Sequence, residues 1–455
     1  MKVKSKIVWE CIECGHEQQK WAGSCPSCSQ WNTFVEKNKF EEQKRYGSAI
    51  KKQKKPLPLS QIQLKDNFKQ KTGFVEVDRL LGGGVVEGSF LLLGGSPGIG
   101  KSTLSLQLAK GFAENGKKVL YICGEESEEQ TMLRAKRLGI ETDHIFLLHE
   151  TNLEAIKNQL VELNPEALIV DSVQILYKEQ IGAAPGSIVQ VREIASECMH
   201  LSKEMNMTTI LIGHVTKSGD IAGPRVLEHL VDVVLEFEGE RSCGYRMLRC
   251  RKNRFGSTDN IALFQMQKEG LQEVLNPSKA FLEERTHKGS GSAIVSALEG
   301  GRSLLLEVQA LVTPTAFPTP SRKATGIDSS RLALLLAVLE KKMGFALHSC
   351  DVFASLAGGM RIKEPAIDLG ILLAIASSFS NRVIPHDTII MGEVGLSGEI
   401  RSIKKVQSRL QEAMQLGFEH CILPLSNMKE LPDHLKESIS LHPVQSVEEA
   451  IGLLV

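Results

Sequence analysis

Residues Gly95, Ser96, Pro97, Gly98, Ile99, Gly100, Lys101, Ser102 and Thr103 give the spacing Gly-x4-Gly-Lys-Ser, with the apolar run FLLLG just before them. Glycines so placed let backbone N–H groups turn inward around a phosphate, at a helix N-terminus whose dipole favours anions. Lys101 would reach the β- and γ-phosphates of ATP, and the Ser102 hydroxyl would ligate Mg²⁺. Further along, ALIVDS is an apolar strand ending in Asp171, an acid placed to hold Mg²⁺ through water. The strand in YICGEES is followed by two carboxylates. Glu125 follows the strand end directly, so it rather than Glu126 is expected to polarise the attacking water. His214 ends a further strand and reads either as a sensor of the γ-phosphate or as a structural histidine. The chemistry is phosphoryl transfer to water.

A second set of reactive groups opens the chain. Cys11 and Cys14 form one Cys-x2-Cys pair, Cys25 and Cys28 a second, ten residues later. Each pair suits a tight knuckle, and two knuckles supply four thiolates to one tetrahedral Zn²⁺. Trp9, Trp21 and Trp31 are all the tryptophans of the chain, and all fall in the first 31 residues. So small a module has little core, so metal binding would supply its folding free energy.

These groups need separate elements to hold them. At 455 residues the chain is too long for one core. The runs KKVLYICGEE, EALIVDSV, TTILIGHV and LVDVVLEFEG read as strands, with helical patterns between them, and predict a parallel sheet wound with helices. The expected organisation is a zinc module over 1–36, a basic linker over 37–60, an ATPase domain over 61–276, a junction over 277–290 and a second α+β domain over 291–455. The linker follows from eight Lys or Arg against two Glu between Lys37 and Lys55, with no apolar periodicity. An apolar fraction of 42% and a charged fraction of 24% are those of a soluble globular protein. With no run of about 18 apolar residues, the expectation is a cytoplasmic protein that does not enter a membrane. A net charge of zero excludes nothing about nucleic acid, because local patches decide such binding.

The stretch RCRKNRFGSTDN places four cations in six positions. Taken with the zinc knuckles, GGSPGIGKST, GEES and LIVDS, it makes the whole chain resemble the RadA (Sms) family of bacterial DNA repair proteins. Lys252, Asn253, Arg254, Phe255 and Gly256 match that family's signature. The resemblance implies a RecA-type ATPase core that assembles with copies of itself into a ring, a hexamer. In such rings one subunit's cations reach the next subunit's nucleotide. Lys252 and Arg254 are one residue apart, so on a strand they project to the same side. Arriving in trans, they would stabilise charge on the γ-phosphoryl oxygens. The segments after the third and fourth strands usually face the central channel, which offers Lys178, Arg192, Lys217 and Arg225 to the phosphates of single-stranded DNA.

Beyond the junction, EPAIDLGILLAIASS and GEVGLSGEIRSIKKVQSRLQEAMQLGF resemble the proteolytic domain of Lon. Aligning them places Asp368 where Lon-type peptidases carry a nucleophilic Ser and Arg409 where they carry a Lys base. A carboxylate lacks the acylation chemistry, and guanidinium does not give up its proton. The resemblance implies an ATP-driven motor of recombinational repair, with branch migration of DNA intermediates as its work. Its implied partners are single-stranded and branched DNA and the RecA recombinase. An assembly factor switched by nucleotide, binding DNA without moving along it, needs the same ATP-site residues and stays open. An ATP-dependent protease is disfavoured by Asp368 and Arg409.

Overall fold

A computed structural model describes residues 6–11, 17–18, 20–27, 29–39, 58, 60, 69–214, 225–239, 244–283 and 289–453. The chain divides into two compact units, Met1–Asp66 and Asn67–Val455. In the first, β1 (Lys6–Cys11), β2 (Glu17–Gln18) and β3 (Phe34–Lys39) form an antiparallel sheet in the order β2-β1-β3. Cys11 stands opposite Phe34, and Phe34 packs with the buried Cys25 beside Trp9 and Ala22. Among the described residues this hydrophobic cluster has only Cys25 and Phe34 as buried members, too little to hold a fold without a cross-link or a metal.

The second unit opens with a short pair, β4 (Lys69–Gln70) against β5 (Val85–Val86), flanking α1 (Val75–Leu80). Strands then alternate with helices: β6 (Phe90–Gly95), α2 (Lys101–Glu114), β7 (Val119–Cys123), α3 (Glu128–Arg137), β8 (Ile145–Leu148), α4 (Leu153–Leu163), β9 (Ala167–Asp171), α5 (Ile188–Met205), β10 (Thr208–His214), α6 (Arg225–Leu230) and β11 (Val233–Glu238). β12 (Tyr245–Asn253), β13 (Ile261–Gln267) and β14 (Gly270–Glu273) continue the sheet as antiparallel strands. The nine-stranded order is β14-β13-β12-β11-β6-β10-β9-β7-β8.

The strands from β6 to β11 are parallel and mostly buried on both faces, so β6, β7 and β9 read as continuous apolar runs rather than alternating ones. One face packs Val119, Tyr121 and Ile169 against Leu104, Leu108 and Phe112 of α2. The opposite face packs Leu120, Ile122 and Val170 against Ile156 of α4 and Ile194 of α5. The register sets the carboxyl ends of the strands along one edge: Gly95 pairs with His214, and Cys123 with Asp171.

α7 (Pro277–Glu283) leads into the C-terminal part. The expected polar junction therefore begins as a helix, with Pro277, Ser278 and Phe281 buried and Phe281 packed edge-on to Tyr245 at 5.1 Å. β15 (Ser292–Glu299), β16 (Arg302–Pro314), β17 (Arg322–Thr325), α8 (Ser329–Met343), β18 (Cys350–Leu356), α9 (Asp368–Ser380), β19 (Thr388–Ile390), β20 (Glu393–Val394), β21 (Ile400–Arg401), α10 (Val406–Gln415), β22 (His420–Pro424), α11 (Asp433–Ser438), β23 (Ser440–Val444) and α12 (Val447–Gly452) follow. Seven of these strands form one mixed sheet in the order β17-β18-β16-β15-β19-β22-β23. α9 is buried from Asp368 to Ser377 and lies close on the sheet. A Cβ at Gly370 would stand 2.0 Å from Val295 Cγ1, so only glycine permits that approach.

The two sheets of this unit share a core, because Met247, Ile261 and Leu263 of the first belong to the same cluster as Phe281, Leu332 and Val352. The β15–β16 turn reinforces that contact: Glu299 pairs with Arg249 at 2.6 Å and Arg302 with Glu76 at 2.8 Å. Among the described residues no helix is long and apolar enough to cross a membrane.

Candidate active site

The glycine loop leaves β6 and enters α2 through Gly98 at φ 75° and Gly100 at φ 116°, conformations that favour glycine. Lys101 is 4% exposed and donates to the carbonyls of Gly95 at 2.7 Å and Ser96 at 3.0 Å. Burial pulls its ammonium pKa down, opposed by the charges of Asp171 and Glu125. Those two carboxylates are therefore close enough to be felt at Lys101.

Asp171, at the end of β9, accepts from Tyr121 Oη at 2.9 Å and stands near the Ser102 hydroxyl. Burial raises its pKa, and the bonds from Ser102 and Tyr121 oppose that rise by favouring the carboxylate. A hydroxyl and a carboxylate in contact at the start of the helix are the donor set a hard cation needs, so Ser102 and Asp171 fit Mg²⁺. The carboxylates after β7 separate by partner. Glu126 is taken by Arg134 at 2.6 Å, whereas Glu125 accepts from Ser172, the residue after Asp171. Gly124 makes this turn possible: its N–H donates to Asp171 O at 2.9 Å, and a Cβ there would stand 1.6 Å from Ile175 Cδ1. The backbone of His214 ends β10 beside Gly95, and its side chain lies outside the described residues.

Lys252 and Arg254 lie at the other edge of the sheet. β12 runs antiparallel to β11, so Asn253 stands opposite Val233, which in turn pairs with Leu91 near the start of β6. Lys252 Nζ donates to Glu228 O at 2.5 Å. Arg254 reaches His229 O at 3.5 Å and Asp232 Oδ1 at 3.3 Å. Both side chains thus meet the corner between α6 and β11, the same side of the strand. Asp232 is 4% exposed and also accepts from Phe90 N at 3.1 Å and Lys203 at 2.5 Å. The Lys252 pKa is lowered by burial and by Arg254, against Asp232 and Glu228. Asn253 shapes the turn: its Oδ1 accepts from Phe255 N at 2.9 Å, and a Cβ on Gly256 would come within 3.2 Å of its amide nitrogen. Phe255 is exposed.

Of the residues expected to meet DNA, Arg192 is exposed on α5. Lys178 is not available as a bare cation, because Glu197 holds it at 2.6 Å in a network with Lys157 and Glu154. Helices α4 and α5 bring those acids to it, a proximity the sequence does not carry. Lys217 lies outside the described residues, as does the side chain of Arg225, the first residue of α6. In the amino-terminal unit Cys25 is buried and its carbonyl accepts from Ser29 N at 2.8 Å. Cys11 ends β1, and Cys14 and Cys28 lie outside the described residues. A buried thiol on a knuckle, with Cys11 opposite its neighbour Phe34, fits a zinc site of four cysteines.

The two peptidase-like positions are occupied by separate ion pairs. Asp368, 1% exposed, binds Arg331 through both carboxylate oxygens and accepts from Val394 N at 3.3 Å. Arg409, fully buried, donates to Glu364, to Ser296 O at 2.6 Å and to Lys404 O at 2.9 Å. Neither is directed at the other. No sequence pattern singles out Arg331, Glu364, Asp232 or Tyr121; each is an ordinary residue until the fold supplies its partner.

A glycine loop, a hydroxyl-bearing helix start and an acid ending the neighbouring strand, all on the carboxyl edge of a wound parallel sheet, define a RecA-like P-loop ATPase. Family profiles agree part by part. A rubredoxin metal binding domain matches residues 9–36, an AAA domain residues 53–220, and the Lon protease (S16) C-terminal proteolytic domain residues 346–455. The DNA repair protein RadA of Chlamydia pneumoniae is 49% identical over 455 residues, covering all of both chains. RadA of Bacillus subtilis (strain 168) is 47% identical over 431 residues, 94% of each chain. The crystal structure of the KaiC-like protein PH0186 from Pyrococcus horikoshii OT3 aligns with 45% of this chain and 98% of its own, at 23% identity and a TM-score of 0.38. The chain belongs to the RadA family of DNA repair proteins, with an amino-terminal metal-binding ribbon and a carboxy-terminal Lon-protease-like domain.

Proposed function

We propose that this protein hydrolyses ATP at sites shared between neighbouring copies in a hexameric ring, and that the cycle drives movement on DNA during recombinational repair. In each site Lys101 and the loop N–H groups hold the phosphates, Ser102 and Asp171 hold Mg²⁺, and Glu125 orients the attacking water. Lys252 and Arg254 come from the neighbour. Single-stranded and branched DNA is the substrate, gripped at its phosphates by Arg192, Lys217 and Arg225, with the RecA recombinase as partner in the cytoplasm. Cys11, Cys14, Cys25 and Cys28 bind Zn²⁺. Peptide hydrolysis is no part of this reading, because Asp368 and Arg409 carry neither nucleophile nor base.

One observation carries the proposal. The phosphate loop follows Gly95, whereas Arg254 contacts the residue whose carboxylate caps Phe90, five residues back along the same strand. At about 3.3 Å per residue the two edges are roughly 17 Å apart, beyond the reach of either side chain. That distance supports delivery of the cations by a neighbouring chain. The test mixes two inactive chains. Lys101→Ala and Arg254→Ala should each lose a factor of roughly 10³ or more in turnover, the scale of a missing arginine finger. Subunit exchange joins the intact finger of the first to the intact loop of the second, and partial ATPase activity should return. No recovery in rings confirmed by sizing would refute the shared site.

A further inference from the structure

Tyr121 is a hydroxyl in a hydrocarbon layer. It lies in the middle of β7, 1% exposed, between Val119 and Cys123 on the face that α2 covers. The neighbours there, Ile169, Leu104 and Leu108 among them, would pack a phenylalanine equally well. A buried hydroxyl without partners costs on the order of 1–3 kcal/mol, so its presence calls for a use. It has two partners. Tyr121 Oη donates to Asp171 Oδ2 at 2.9 Å, and lies 2.9 Å from Ser105 Oγ.

Ser105 is fully buried, one helical turn after Ser102, and its hydroxyl also stands 3.0 Å from the Ser102 carbonyl. Since an ionised Asp171 only accepts, the phenol proton points to Asp171, and the Ser105 proton is shared between Tyr121 Oη and the Ser102 carbonyl. Asp171, Tyr121, Ser105 and the Ser102 carbonyl thus form a chain of hydrogen bonds. The chain ties the first turn of α2 to the end of β9, the two elements that supply the hydroxyl and the carboxylate.

We infer that Tyr121 is a positioning residue for Mg²⁺: backed by Ser105, it fixes the carboxylate plane of Asp171 against the Ser102 hydroxyl. This rests on the reading of Ser102 and Asp171 as the magnesium pair. A carboxylate held by Ser102 alone would keep its freedom to rotate about its last torsion. Outer-shell groups of this kind characteristically govern metal affinity by about 10- to 100-fold.

The experiment uses the full-length protein and needs no turnover. The affinity for ATPγS is measured by calorimetry in Mg²⁺ and again in EDTA, and the ratio of the two is the gain due to the metal. Asp171→Ala should abolish the gain. Tyr121→Phe, which removes one oxygen and keeps the ring, should lower the gain by roughly 10-fold or more with the EDTA affinity unchanged. Ser105→Ala should lower it by a smaller factor, and stands in if Tyr121→Phe fails to fold. If wild type gains from Mg²⁺, Asp171→Ala does not, and Tyr121→Phe matches wild type, the inference falls and the magnesium pair stands. The same holds if Ser105→Ala, standing in, matches wild type. If wild type shows no gain, the magnesium pair falls and the inference with it.

Discussion

Arg409→Ala should be among the most damaging single substitutions in the carboxy-terminal domain, although Arg409 touches no proposed substrate. The guanidinium is fully buried and meets three separate groups: Glu364, Ser296 O at 2.6 Å and Lys404 O at 2.9 Å. Truncation removes the counter-charge of the Glu364 carboxylate, itself only one-fifth exposed and left with Leu298 N as its donor, and takes the guanidinium from the carbonyl of a buried strand residue. Breaking a buried pair by removing one partner costs about 3–5 kcal/mol, since the remaining charge keeps its desolvation penalty. For a cooperative unit of 150–250 residues each kcal/mol lowers Tm by roughly 2–4 °C, so the loss should be about 6–20 °C. The double variant Arg409→Met with Glu364→Gln removes both charges and should recover a large part of it. The assay is calorimetric melting of the wild type and the variants at one pH and salt. A Tm for Arg409→Ala within about 2 °C of wild type would make Arg409 a spectator and its ion pair of no account to stability. A double variant no better than the single would show that volume, not charge, sets the cost.

Chelation of the metal should unfold the ribbon and leave the ATPase fold intact. Fluorescence reports the first selectively, because all three tryptophans lie within residues 9–31, and a chain that binds no zinc when reduced would end that idea. Binding of single-stranded DNA should weaken steeply between about 50 and 200 mM salt as phosphate contacts release counterions. A flat response in a filter-binding assay would point away from phosphate recognition. Burial pushes the Cys198 thiol up to about 12 and Cys250 to about 11, so at pH 8 their thiolate fractions are on the order of 10⁻⁴ and 10⁻³. In the native protein neither should react with iodoacetamide, both should in urea, and peptide mapping by mass spectrometry decides.

What the sequence determined by itself was local. The glycine loop is legible because each glycine answers a backbone demand within nine residues, Gly98 and Gly100 at positive φ among them. The zinc knuckles are legible because ligand spacing is set along the chain. Apolar runs of five or six residues between helical patterns were enough to place Asp171 at a strand end and Glu125 just beyond one.

Partnerships between distant segments came only with folding. Lys178 looks like a free cation until α4 and α5 pack and bring Glu154 and Glu197 to it. The segment after Asn276 is rich in polar and small residues, yet Phe281 finds Tyr245 across 36 positions and α7 becomes part of the core. Asp368 and Arg409 are wrong for peptidase chemistry by type alone, but that each is locked to its own partner follows only from the fold. The order of strands, above all β11 beside β6 with β12 running back along it, sets Lys252 and Arg254 at the edge away from the phosphate loop. Burial and charge pairing depend on which surfaces meet, and a one-dimensional pattern fixes the surfaces without fixing the meeting.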